Sequence, residues 1–252
     1  YQINDNFQVY GKYAEAYRTP SLFESTRGWS AVPSISDPLN PEHAKTKEIG
    51  VNYQGNNLFG QGDLLRAKVA YFDNNIDDYI TRKTSGGYNF VNIDSARMRG
   101  WEVSLDYDRG SFFGKLSLSK YLETEYCDVD GDCSSGGTSG GYAHLHVPPA
   151  QSVSLTLGGR FLEEKLELGA RVTYIGERAS IDFTGITGGT NQSVNWEPYT
   201  TIDLFGSYQI NDQVSFDMAI DNLMDQYYMD SLTIGLMPSP GRTVRVGLTA
   251  TF

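Results

Sequence analysis

No apolar run in this chain approaches the roughly 18 residues that a membrane-spanning helix needs, and no segment shows a persuasive helical period. Mean hydropathy is −0.39. These absences exclude a helical membrane protein. They do not exclude a membrane β-barrel, whose alternating lipid-facing and lumen-facing residues average the hydropathy away. Basic charge is also scarce. Against 31 Asp and Glu stand 20 Lys and Arg, giving a net charge of −11 and a pI near 4.7, which speaks against nucleic acid as a partner. Much of the acidity falls between strands or on their polar faces, as solvated loops and a hydrated lumen require. With 2 Cys and 3 His, metal chemistry has few residues to work with. No signal-peptide pattern opens the chain, and Tyr1 stands near a strand end.

What is present is alternation. From Gly241 to Phe252 the chain reads GRTVRVGLTATF, with Val244, Val246, Leu248, Ala250 and Phe252 at every second position. A period of two predicts a strand with one apolar and one polar face. The same pattern recurs about ten times. Its apolar faces include Phe7–Val9–Gly11–Tyr13, Ile49–Val51–Tyr53, Leu65–Ala67–Val69–Tyr71 and Trp101–Val103–Leu105–Tyr107. Leu116–Leu118–Leu122, Val153–Leu155–Leu157, Leu166–Leu168–Ala170–Val172–Tyr174, Ile202–Leu204–Tyr208 and Val214–Phe216–Met218–Ile220 follow. Lys120 is the misfit, a cation on an apolar face near a strand end, where its amine can snorkel.

Periodicity does not say whether the apolar face points inward, as in a soluble barrel, or outward, as in a membrane one. Connection lengths favour the second. Alternate connections are short (residues 54–62, 109–111, 161–164 and 211–212), while the others are mostly long (18–42, 83–87, 124–147, 179–197 and 226–240). Short periplasmic turns facing long extracellular loops give that asymmetry. Aromatics near strand ends predict two interfacial girdles. One holds Tyr107, Phe112, Phe113 and Phe252; the other holds Tyr17, Tyr79, Tyr121, Trp196 and Tyr199. The expected fold is an all-β, antiparallel, up-and-down transmembrane barrel wall.

Candidate chemistry is confined to the long loops. Cys127 and Cys133 lie six apart, a spacing that can close a small disulfide loop in an oxidising compartment or leave two thiols. Between them Asp128, Asp130 and Asp132 alternate. Three carboxylates on a tight loop offer hard oxygen ligands to calcium, or form a solvated acidic tip. Cys133 takes the place of the turn glycine of a calcium loop, and the twelfth-position glutamate is missing. His144 and His146 share one side of an extended segment, and His43 opens a strand. Imidazole ligates haem iron, zinc or copper, although two histidines alone leave such a site incomplete.

Four segments carry a resemblance. YGKYAEAYRTPSLFE (Tyr10–Glu24) resembles a strand-and-loop segment of TonB-dependent outer-membrane receptors, with Tyr17, Arg18, Thr19 and Pro20 where haem receptors carry an FRAP-type motif. LNPEHAKTKEIGVNY (Leu39–Tyr53) is similar to the next segment, with Asn40 and Pro41 matching an NPNL-type motif while Glu42 and His43 depart from it. DNLMDQYY (Asp221–Tyr228) resembles the family's N-L-x-D-x-x-Y, and MPSPGRTVRVGLTATF its final hairpin and terminal aromatic. The resemblance implies a barrel of roughly 22 strands with a plug in its lumen. The ten strands here are then a C-terminal portion, residues 1–252, with the plug absent and both sheet edges needing partners. It further implies outer-membrane lipid as surroundings and a TonB complex that acts through the plug. The expected ligand under this resemblance is haem or a haem-carrier protein, with Arg18, Arg27, Trp29, His43, His144 and His146 as candidate contacts. Arg27 and Trp29 suit propionates and a flat ring. No histidine lies between Pro20 and Asn40, so a ferric siderophore stands as the alternative. Two further classes remain: a ten-stranded outer-membrane protease using a His–Asp pair, and a passive porin.

Overall fold

The computed structural model describes residues 1–26, 36–83, 89–135, 147–178, 197–230 and 238–251. Among the described residues eleven strands build one sheet: β1 (Phe7–Arg18), β2 (Glu42–Asn56), β3 (Leu64–Lys83), β4 (Asn89–Asp108), β5 (Phe112–Cys127), β6 (Cys133–Ser134), β7 (Gln151–Phe161), β8 (Leu166–Ile175), β9 (Tyr199–Asn211), β10 (Val214–Asp221) and β11 (Thr243–Ala250). Each long strand pairs antiparallel with the next, and the two-residue β6 folds back on β5. A single helical turn, α1 (Leu22–Ser25), interrupts the first long loop. The sequence predicted ten strands and no helix; β6 and α1 are too short to leave a periodic signal.

Register aligns the alternating residues into rows. Tyr53, Ala67, Leu105, Leu116, Leu155, Val172 and Ile202 stand side by side across seven strands. On the opposite face runs a wholly polar row of Gln8, Asn52, Lys68, Ser104, Ser117, Ser154 and Thr173. The apolar face is bare: Ile49 is 65% exposed, and Val69 and Trp101 are each 42% exposed. A soluble barrel would bury that row. An uncovered apolar band of this breadth is stable only against lipid, so the polar face lines the lumen.

The outer boundary of the membrane is visible as an inversion of polarity. Above the row Ile49–Tyr71–Trp101, the lipid-side positions become Lys47, Asp73, Arg99 and Glu123, then Lys45, Asn75, Arg97 and Glu125. At the same height the inner face turns apolar. Ile76, Ala96 and Tyr126 align across β3, β4 and β5, and Ile93, Ala96, Tyr126 and Val147 form a small buried core with Met98 and Tyr79 against it. Strands β3 and β4 are each 20 residues long, whereas about 9–11 tilted residues cross a bilayer. Their upper halves are therefore an extracellular platform with a core of its own.

This platform corrects the predicted outer girdle. Tyr79 belongs to the extracellular core, because the ladder passes from Asp77↔Ser95 to Tyr79↔Ile93 around Asp78, whose φ is 54°. Tyr121 packs edge-on against Phe72 on the lumen side, and Tyr17 lies above the interface. The aromatics at the boundary are instead Tyr71 and Trp101, with ring centroids 5.2 Å apart. Trp196 and Phe252 lie outside the described residues.

Two devices fix the rest. In the 57–63 turn, the buried Asp63 carboxylate accepts the amides of Leu58 and Phe59, each at 2.8 Å. Burial pushes this acid upward, but those amides and the Tyr107 hydroxyl outweigh it and hold the group below its ordinary value. At the other end, the N-L-x-D-x-x-Y residues form a clasp. The Asn222 amide spans Gln226 and Pro240, and Asp225 accepts the Arg242 amide at 2.8 Å. Gly241 lies beside this contact, where a Cβ would fall 2.7 Å from the Asp225 carboxylate.

Candidate functional site

The candidate site is the extracellular rim above the lumen. Its base is an ion-pair network joining the YRTP and LNPE segments. Pairing of β1 with β2 sets Arg18 opposite Glu42. The Arg18 guanidinium grips Glu42 with two hydrogen bonds, at 2.5 and 2.8 Å, and reaches Glu24 at 2.9 Å. Glu42 is nearly buried and also accepts the backbone amide of Ile80 at 2.8 Å. Glu24 closes a capping box with Ser21 at the start of α1. Burial raises the Glu24 pKa, yet the Arg18 and Ser21 hydrogen bonds bring it below the usual value. The Glu42 hydrogen bonds raise the Arg18 pKa. Arg18 is thus a strut that ties the first loop to β3, with its donors already engaged.

Asn40 extends this tie. Its backbone amide donates to the Asn92 side chain at 2.8 Å, and its side chain donates to Asp78 at 3.2 Å. The LNPE segment and the β3–β4 hairpin enclose a cavity of about 430 Å³, lined in part by Leu39, Asp78, Phe90, Asn92 and Asp94. Phe23 of α1 packs edge-on against Phe90, centroids 5.5 Å apart. Nearby, burial pushes the Tyr79 phenol up to about 12.

The other sequence-predicted residues are spread apart. His43 stacks on Tyr17 with centroids 4.2 Å apart and meets Glu15 at 2.7 Å. Its register partners Tyr17 and Asp77 put it in line with Lys45 and Lys47, on the outer side of the wall rather than over the lumen. Cys127 and Cys133 are joined by a disulfide. Asp128 accepts the amides of Asp130 and Asp132, both at 3.0 Å, so one of the three carboxylates already serves the turn. Arg27, Trp29, His144 and His146 lie outside the described residues.

Sequence reasoning missed Glu42, Glu24 and Ile80 as partners of Arg18. Glu24 and Arg18 are six apart, but the Arg18–Glu42 contact spans 24 residues and emerges only from strand register. Below the rim, Glu48 accepts from Tyr10 and pairs with Lys68 at 3.1 Å. A cavity of about 700 Å³ lies on this face, lined by Gln8, Asn52, Arg66, Lys68, Asp106 and Lys115 among others. Together these residues make a hydrophilic wall beneath the rim.

The model of TonB dependent receptor-like β-barrels matches residues 1–223. The hemophilin receptor of Acinetobacter baumannii is 31% identical over 99% of this chain, which spans 26% of that protein. The Serratia marcescens hemophore receptor HasR, solved as a double mutant with its hemophore HasA and heme, superposes with a TM-score of 0.71. It is 26% identical over 100% of this chain and 38% of that one. The FrpB iron transporter of Neisseria meningitidis gives a TM-score of 0.74 at 21% identity, covering 100% of this chain and 38% of that one, and shares the fold. With an outward apolar face, a polar lumen wall and this match over most of its length, the chain belongs to the TonB-dependent receptor β-barrel family of the outer membrane.

Proposed function

We propose that this chain forms part of the wall and extracellular rim of a receptor that takes up haem, presented free or by a carrier protein. The observation that carries the proposal is the extracellular platform. Strands β3 and β4 rise well beyond the bilayer with their own core, and the Arg18–Glu42–Ile80 tie fastens the first loop to them. A raised, braced surface beside a polar lumen is suited to gripping a carrier before passing on its cargo. The similarity to receptors named for hemophilin and for a hemophore favours haem over other iron sources. Energy would come from a TonB complex pulling on a plug inside the completed barrel. The ferric-siderophore alternative rests on the lack of a histidine between Pro20 and Asn40. Membership of a receptor family replaces the protease reading.

The ligand contacts are proposed from residue type and sequence position. His43, turned to the outer side and held by Glu15 and Tyr17, serves the wall. His144 and His146 are then the axial-ligand candidates, with Arg27 and Trp29 for the propionates and ring. Asp130 and Asp132 are candidates for calcium. The test is a haem titration of the full-length receptor followed at the Soret band. Saturable binding that weakens in His144→Ala or His146→Ala and persists in His43→Ala supports the assignment. No Soret change, together with fluorescence quenching by a ferric siderophore, transfers the reading to chelates.

A further inference from the structure

A half-buried arginine at the mouth of the lumen has no carboxylate bonded to it. Arg178 follows β8, and the β7–β8 pairing runs on toward it: the Gly176 amide donates to the Gln151 carbonyl at 2.8 Å, and the Ala150 amide to the Glu177 carbonyl at 2.7 Å. The Arg178 guanidinium then donates to the Val147 carbonyl, its one hydrogen bond among the described residues. Val147 is 1% exposed and belongs to the inner-face core with Ile93, Ala96 and Tyr126. Arg178 is thereby held on the inner side of the wall, beside the platform.

An aromatic pair stands next to it. Thr173 and Thr201 are opposite each other on the polar face, and Ile175 and Tyr199 continue that face upward, so Tyr199 looks into the lumen. Tyr228 packs on Tyr199, with centroids 4.3 Å apart and ring planes 31° from parallel. Tyr228 closes the N-L-x-D-x-x-Y clasp, and its carbonyl accepts the Ser239 amide at 2.9 Å, so the pair is backed by a fixed backbone. Arg178 feels the charge of both Tyr199 and Asp230; they pull its pKa upward, while burial lowers it. A guanidinium carries a planar fork of donors, and Val147 occupies one part of it. A partly desolvated cation costs free energy until an anion meets it.

We infer that Arg178, backed by the Tyr199–Tyr228 pair, is a specificity-determining contact for a carboxylate of a flat conjugated ligand at the inner mouth of the lumen. The fork takes the carboxylate in charge-assisted hydrogen bonds, and the Tyr199 ring packs against the ligand's conjugated system. Val147 directly follows His146 in the sequence, so the guanidinium that meets the carboxylate also anchors the base of the segment carrying the proposed axial ligands. The inference rests on the haem reading above, with a propionate as the carboxylate.

The test is a Soret titration of the full-length receptor in mild detergent with haemin and, in parallel, haemin dimethyl ester, whose carboxylates are masked. Wild type is expected to bind haemin more tightly than the ester. Arg178→Gln should weaken haemin about tenfold, the effect of losing one charge-assisted contact, and leave the ester unchanged. Arg178→Lys should recover part of the loss, and Tyr199→Leu should weaken both ligands alike. Heat-modifiable gel mobility confirms that each variant is folded. Unchanged haemin binding by folded Arg178→Gln would overturn the contact. Equal losses for haemin and ester would also overturn it, leaving Arg178 as a brace for Val147 alone. A wild-type receptor that gives no Soret change would overturn the haem reading itself, and this contact with it.

Discussion

Removing Arg18 should cost more than removing Glu42, although the two residues share one ion pair. The Glu42 side chain is only 10% exposed, whereas that of Arg18 is 46% exposed. In Arg18→Ala, the Glu42 carboxylate keeps a single partner among the described residues, the Ile80 amide. An uncompensated buried charge costs about 3–5 kcal/mol, and the exposure of the Arg18 side argues for the lower end, about 3 kcal/mol. In Glu42→Ala, Arg18 retains Glu24 and water, and the main loss is the orphaned Ile80 amide, about 1–3 kcal/mol. Glu42→Gln should fall below Glu42→Ala because a side-chain oxygen still accepts from Ile80. The double variant should be less damaging than the sum of the singles, since removing both charges leaves no buried ion behind. Urea unfolding of the full-length receptor in lipid vesicles, analysed as a double-mutant cycle, measures each value. Additive costs, or a larger effect from Glu42→Ala than from Arg18→Ala, would refute the reasoning.

Other predictions concern the supports of the wall. Gly100→Ala forces β4 and β5 apart where their register shifts, between Arg99 and Gly100, because the new methyl meets a backbone oxygen rather than a flexible side chain; a loss of about 1–3 kcal/mol is expected in the same unfolding assay. Asp63 has a depressed pKa in the folded chain, so its contribution is present above the unfolded carboxylate value of about 3.9 and fades as pH falls through the folded value. Asp63→Asn should therefore lower the unfolding midpoint at pH 7, with the gap to wild type closing in acid; a gap independent of pH would contradict this. Asn222→Ala removes the buried amide that joins Gln226 to Pro240. It should cost about 1–3 kcal/mol per group left unpaired and speed hydrogen exchange at the Gln226 amide.

The chain's own alternation determined the strands, their polar and apolar faces and the short-turn, long-loop asymmetry. A period of two is a local property that survives without tertiary context. The same local signals marked Cys127 with Cys133, and showed Lys120 as an exception. Tertiary structure decided what depends on register. It showed the apolar rows uncovered, which identified the lipid side that periodicity left open. It moved Tyr79 and Tyr121 out of the expected girdle: the φ of 54° at Asp78 changes which face Tyr79 occupies, and Tyr121 alternates onto the lumen face with Ser117 and Ser119. It showed Arg18 tied to Glu42, which lies 24 residues away along the chain yet directly opposite across the ladder. It also set His43 on the outer side of the wall. Alternation fixes which residues share a face within one strand, but only pairing between strands fixes which residues meet, and at what height above the membrane.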